Sequence, residues 1–91
     1  MKKYIIVAWY GGIPYMLQMR GVINWCFYNN RIKTFKTLET AIRNVNKIAA
    51  NYKYDIIKVY AVNNNEIVSS DNIRKWDLEE SERIVFAKKA K

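Results

Sequence analysis

Histidine is absent from the 91 residues, and cysteine and proline occur once each. Without imidazole the chain lacks the side chain whose ordinary pKa suits proton transfer near neutrality, and also the commonest nitrogen ligand for a metal. The lone thiol, Cys26, can close no disulfide within the chain and cannot build a zinc site. As a nucleophile it has no histidine to activate it, and its neighbours Trp25 and Phe27 suit a buried thiol in a strand. The three glycines, Gly11, Gly12 and Gly21, match neither the dinucleotide-binding nor the P-loop spacing. Acids are half as numerous as bases, eight against sixteen. Their one cluster, Asp77, Glu79, Glu80 and Glu82, could supply paired carboxylates or hold Mg²⁺, but charge runs of this kind ordinarily face water. No stretch approaches the roughly 20 apolar residues of a membrane span. The expectation is a non-enzymatic protein with no metal and no cofactor.

What is present is apolar and basic. The hydrophobic share of 51% and the aromatic share of 14% predict a single folded domain over residues 1–91, with a flexible basic tail at 88–91. The N-terminal MKKYIIVAWYGG has a basic start and an apolar run, but the run is too short for a signal peptide and lacks a small-residue cleavage site, so it reads as a core strand. The expected location is cytoplasmic.

The stretch from Thr37 to Asn51 organises the rest. Leu38, Ala41, Ile42, Val45, Ile48 and Ala49 recur at the spacing of one helical face, with Thr37 as a cap, Glu39 in the first turn and Asn51 as a left-handed stop. Its outer face carries Glu39, Thr40, Arg43, Asn44, Asn46 and Lys47. Such a stripe needs a sheet to cover. Tyr4 to Tyr10 predicts a strand buried on both faces or central in a sheet, and Gly11-Gly12 a hairpin leading to a second strand from Tyr15, with Pro14 limiting where it begins. Val22 to Tyr28 predicts a third strand, and Tyr54 to Val62 a half-buried one. Asn63 to Asn65 then turns into a short returning strand, Glu66 to Ser69. Asp71 to Glu82 suggests a helix capped by Asp71, with Ile73, Trp76 and Leu78 inward. Arg83 to Lys88 either continues that helix or forms a last strand, and three consecutive apolar residues favour the strand. The predicted fold class is α+β: a small antiparallel sheet of about four to five strands packed on one main amphipathic helix at 37–51, with a C-terminal helix or strand.

The net charge of +8 is unevenly placed. Met1 to Lys58 holds ten Lys/Arg against Glu39 and Asp55, whereas Val59 to Lys91 is balanced, six against six. The basic two thirds should attract nucleic acid, an acidic protein face or an anionic membrane surface. Arg20, Arg31, Lys33, Lys36, Arg43 and Lys47 are the candidate binding cations, with Tyr15, Trp25 and Tyr28 as flat anchors. Rings beside cations are what single-stranded nucleic acid uses, bases stacking while the cations follow phosphates. The plain alternative is that the rings are core and the cations scattered contacts with water. An uncovered sheet edge leaves a homodimer open.

Trp25, the run Phe35-Lys36-Thr37-Leu38-Glu39-Thr40-Ala41 and the run Tyr54-Asp55-Ile56-Ile57-Lys58-Val59 together resemble a pattern in small accessory proteins of bacteriophages and mobile elements from AT-rich bacteria. The likeness covers Met1 to Ser69. It implies interference with a host system such as a restriction or CRISPR nuclease, as in anti-CRISPR proteins. Many of those are acidic mimics of DNA, and this chain departs from them in being basic. That departure favours guide RNA, a host protein or ribonucleoprotein with an acidic surface, or nucleic acid itself as the partner. No site residues follow from the resemblance.

Overall fold

The computed structural model describes residues 2–19, 23–24, 32–51, 53–79 and 82–89. The described elements are β1 (Lys2–Tyr10), β2 (Ile13–Leu17), β3 (Ile23–Asn24), α1 (Leu38–Asn51), β4 (Ile56–Asn63), α2 (Ser70–Leu78) and β5 (Ile84–Lys89). The strands form one sheet in the order β3-β2-β1-β4-β5, every pairing antiparallel. This is the expected α+β class. Only Ile23–Asn24 of the strand anticipated at Val22 to Tyr28 falls within the described residues, and Cys26 lies outside them.

Each helix covers its own face of the sheet. Alternation along β1 sends Ile6 and Ala8 to a core built with Ala41, Val45 and Ile48 of α1, and Ile5 and Val7 to a second core built with Ile73 and Trp76 of α2. A central strand covered on both sides must be apolar at every position, which is why Tyr4 to Tyr10 shows no period of two. The three buried residues of α1 include Val45 and Ile48, and full burial of a side chain of that size stabilises by roughly 1.5–3 kcal/mol. Phe35 lies buried under the same helix, its backbone exchanging two hydrogen bonds with Tyr4 at 2.9 Å each.

Five local expectations need correcting. The strand β4 is buried on both faces, not one, because α2 lies over the side carrying Tyr60 and Val62. Pro14 sits inside β2 instead of before it: Trp9, its partner on β1, turns its carbonyl the other way, to the Asp55 N–H at 2.8 Å, so no N–H is required of Pro14 there. Residues 66–69 form no strand, since Glu66 turns back, its N–H bonded to the Asn63 carbonyl and its side chain to the Asn63 N–H. The cap of α2 is Ser69, whose hydroxyl accepts from the Asn72 N–H at 3.2 Å, while Asp71 sits in the first turn. With α2 ending at Leu78, that residue stands 85% exposed beyond the core.

Other boundaries lie where the sequence predicts them. Thr37 caps α1, its hydroxyl accepting from the Thr40 N–H at 3.3 Å. At the other end Asn51 is not the left-handed stop expected but the last residue of the helix itself, and its amide donates to the Lys47 carbonyl at 2.8 Å. Gly11 and Gly12 have φ of 58° and 77°, the two left-handed positions of a tight hairpin turn whose twist matches the strands. Residues 84–89 are strand, the reading that the three consecutive apolar residues favour, and β5 includes Lys88 and Lys89.

Candidate interaction surface

The sheet separates the charges. Under α2 the inward-facing charges are paired, in two linked sets, while Asp71, Arg74 and Lys75 of that helix stand exposed. In the first, Trp9 Nε1 donates to the Tyr60 hydroxyl at 3.3 Å, Tyr60 donates to Asp77 Oδ1 at 3.1 Å, and Lys58 closes an ion pair with the same oxygen. Lys58 also stands 5.9 Å over the Trp9 ring. Burial, and then the Asp77 carboxylate beside it, hold the Tyr60 hydroxyl protonated well above the ordinary tyrosine range. In the second set Arg83 grips Glu66 with both ends of its guanidinium, at 2.6 and 2.5 Å, and lies 4.5 Å over Trp76, whose ring is 6.4 Å from that of Tyr60. Among the described residues no group of acids is arranged to hold a metal. Asp77, the first acid of the cluster marked in the sequence, is committed to Lys58 and Tyr60, and Glu79 and Glu82 are exposed.

Over α1 the charges face outward and are mostly of one sign. From residue 32 to 55 the bases are Lys33, Lys36, Arg43, Lys47 and Lys53, against Glu39 and Asp55. Asp55 already accepts the Gly11 N–H at 2.9 Å, and Glu39 meets Arg43 at 3.4 Å across an exposed helical turn. Arg43 and Lys47, four residues and about one turn apart, share one exposed side of α1, and Lys36 stands exposed just before the Thr37 cap. Lys88 joins this side from β5, donating to Asn46 Oδ1 of α1 at 2.9 Å.

Of the nine residues marked in the sequence, the structure therefore sets Arg43 and Lys47 side by side on α1, with Lys36 exposed before its first turn. Lys33 is half-buried, its ammonium 5.6 Å over the Phe35 ring, and Tyr15 is half-buried with its ring 6.3 Å from Tyr54. Arg20, Trp25, Tyr28 and Arg31 fall outside the described residues.

No family model, characterised protein or solved structure matches this chain. The site rests on its own geometry. A shallow cleft of about 320 Å³ lined by Lys2, Ala61, Asn63, Glu82 and Arg83 opens at the far end of β4, and its arginine is the one already bound to Glu66.

Sequence reasoning missed one grouping. Register sets Lys89 opposite Ile56 and Ile56 opposite Trp9, so the end of β5, the start of β4 and the β1–β2 turn share one end of the sheet. Lys53, Lys88 and Lys89 lie at that end, as do Tyr10, 56% exposed, and Ile13, its cross-strand neighbour. Each of these residues alone reads as a loop or tail residue. Only the order of strands unites them.

Proposed function

We propose that this chain is a non-enzymatic, cytoplasmic binding module of phage or mobile-element origin that docks the basic face of α1 on an acidic surface of a host protein or ribonucleoprotein. A defence nuclease, such as a CRISPR effector, is the target class the sequence resemblance favours. The observation that carries the reading is the excess of exposed bases around α1, Lys36, Arg43, Lys47 and Lys53 against Glu39 and a partnered Asp55, beside inward-paired charges under α2. A helix that only covers a core has no need for an excess of one charge around its outer face, whereas steered docking on an anionic surface does. Among the described residues no helix is long and apolar enough to cross a membrane, which accords with a partner other than the bilayer interior.

Direct binding to nucleic acid is the second reading, favoured by exposed Tyr10 at the end of the sheet that also carries Lys53 and Lys88. Fluorescence anisotropy with labelled single-stranded DNA, duplex DNA and RNA separates the two. Under the docking reading none binds at 150 mM salt, and a host protein retained from lysate by the wild type is lost by the K36E/R43E/K47E variant. Retention unchanged by the variant would refute the helix face. Tight nucleic-acid binding falling steeply from about 50 to 200 mM salt, as released counterions dictate, would install the second reading instead.

A further inference from the structure

The sheet ends at β5, and among the described residues no element lies beyond it. Its outer backbone groups form a template for another strand. Along this edge the charge is graded: Glu79 and Glu82 stand exposed near its start, then come Ile84, Val85 and Phe86, and Lys88 and Lys89 close it, both exposed. Lys88 lies toward α1, where it reaches Asn46, and Lys89 on the α2 side, so lysines flank both faces of the edge at one end.

We propose that the free edge of β5 takes up an extended, acidic segment of a protein partner as an added antiparallel strand. The inference rests on the reading of an acidic partner and specifies how that partner is gripped. Backbone hydrogen bonds would supply the attachment, and acids opposite Lys88 and Lys89 with apolar residues opposite Phe86 and Ile84 would supply the register. A second copy of this chain fits the edge poorly. Full antiparallel self-pairing over the six residues of β5 sets Ile84 against Lys89 and Val85 against Lys88, apolar against charged, and brings together two chains of +8 each. Lysines that repel a like copy attract an acidic strand.

The test is NMR titration of the whole chain with the peptide Glu-Glu-Thr-Val-Thr-Val, alongside the same peptide methylated at alternate backbone nitrogens. Strand addition predicts slowed amide exchange in β5, an affinity loss of about tenfold on methylation, from lost backbone hydrogen bonds, and a comparable loss in K88E/K89E. Equal binding of the methylated peptide, or no binding at all, would overturn the edge. So would a chain that sediments as a dimer with β5 amides already protected. Loss of peptide binding in R43E/K47E rather than in K88E/K89E would sink the edge while leaving the helix face standing.

Discussion

Replacing Glu66 by Gln strikes the pair that ties the start of β5 to the loop before α2. In the folded chain Glu66 accepts from both ends of the Arg83 guanidinium, at 2.6 and 2.5 Å, and from the Asn63 N–H at 2.8 Å. The two side chains are 31% and 24% exposed, and Arg83 is also held flat against Trp76 at 4.5 Å. Charge-assisted bonds of this kind contribute about 1.5–3 kcal/mol when dry, and partial exposure reduces the expected loss in E66Q to about 1–2 kcal/mol at pH 7. In a domain of this size the melting temperature should fall by roughly 5–10 °C. The pH dependence carries the stronger test. The hydrogen bonds from Arg83 hold the Glu66 carboxyl below its ordinary 4.5, against a burial effect of opposite sign. A group with a depressed folded-state pKa stabilises fully above its unfolded value, and loses that contribution as pH falls through the folded one. Urea titrations at pH 7, 5, 3 and 2 should therefore show a constant gap between wild type and E66Q down to about pH 5, narrowing below it. A gap of the same size at pH 2 as at pH 7 would show that the glutamine variant loses shape complementarity and not charge pairing.

Two further substitutions probe the second core and the hairpin. Ile73→Ala, at a fully buried position of α2, should cost about 2–4 kcal/mol in chemical denaturation, whereas Leu78→Ala at the exposed end of the same helix should stay within about 0.5 kcal/mol. Gly12→Ala should cost roughly 1 kcal/mol although a Cβ there meets nothing within 4 Å, because its φ of 77° is costly for any residue with a side chain; Gly11→Asn, at 58°, should cost less.

How far the fold is legible depends on whether the information is local. The helix α1 is legible because one stripe and one cap both lie within fifteen residues, and β1 because burial on both faces leaves an unbroken apolar run. The far face of β4 is not. Lys58 interrupts its apolar pattern and signals solvent, but it is sheltered by Asp77, nineteen residues away on α2, and no local period announces that pairing. Glu66 to Ser69 alternates like a strand, yet its polar groups are claimed by Asn63, Arg83 and the first turn of α2. The start of α2 offers Ser69 and Asp71 as competing caps of similar strength, and local sequence does not rank them. The candidate surface divides the same way: Arg43 and Lys47 follow from helical spacing, while Lys53, Lys88, Lys89 and Tyr10 come to one end of the sheet only through the β1–β4–β5 register.

The division of charge by the sheet has a thermodynamic consequence that connects stability to docking. Charges under α2 are neutralised within the fold, so salt changes their contribution little. Those over α1 are in excess and repel one another, a cost to the compact state that the unfolded chain partly escapes by moving them apart. Salt screens exposed charges beyond about 8–10 Å near physiological ionic strength, so added sodium chloride should raise the urea midpoint of the isolated chain. The same screening weakens attraction between this face and an acidic partner, so the affinity of a complex should fall over the same range. One set of lysines and arginines thus requires opposite responses to salt in stability and in binding. K36E/R43E/K47E should diminish both together. A variant that abolishes the stabilising effect of salt but leaves the affinity for the partner and its salt dependence intact would place the docking surface elsewhere on the chain.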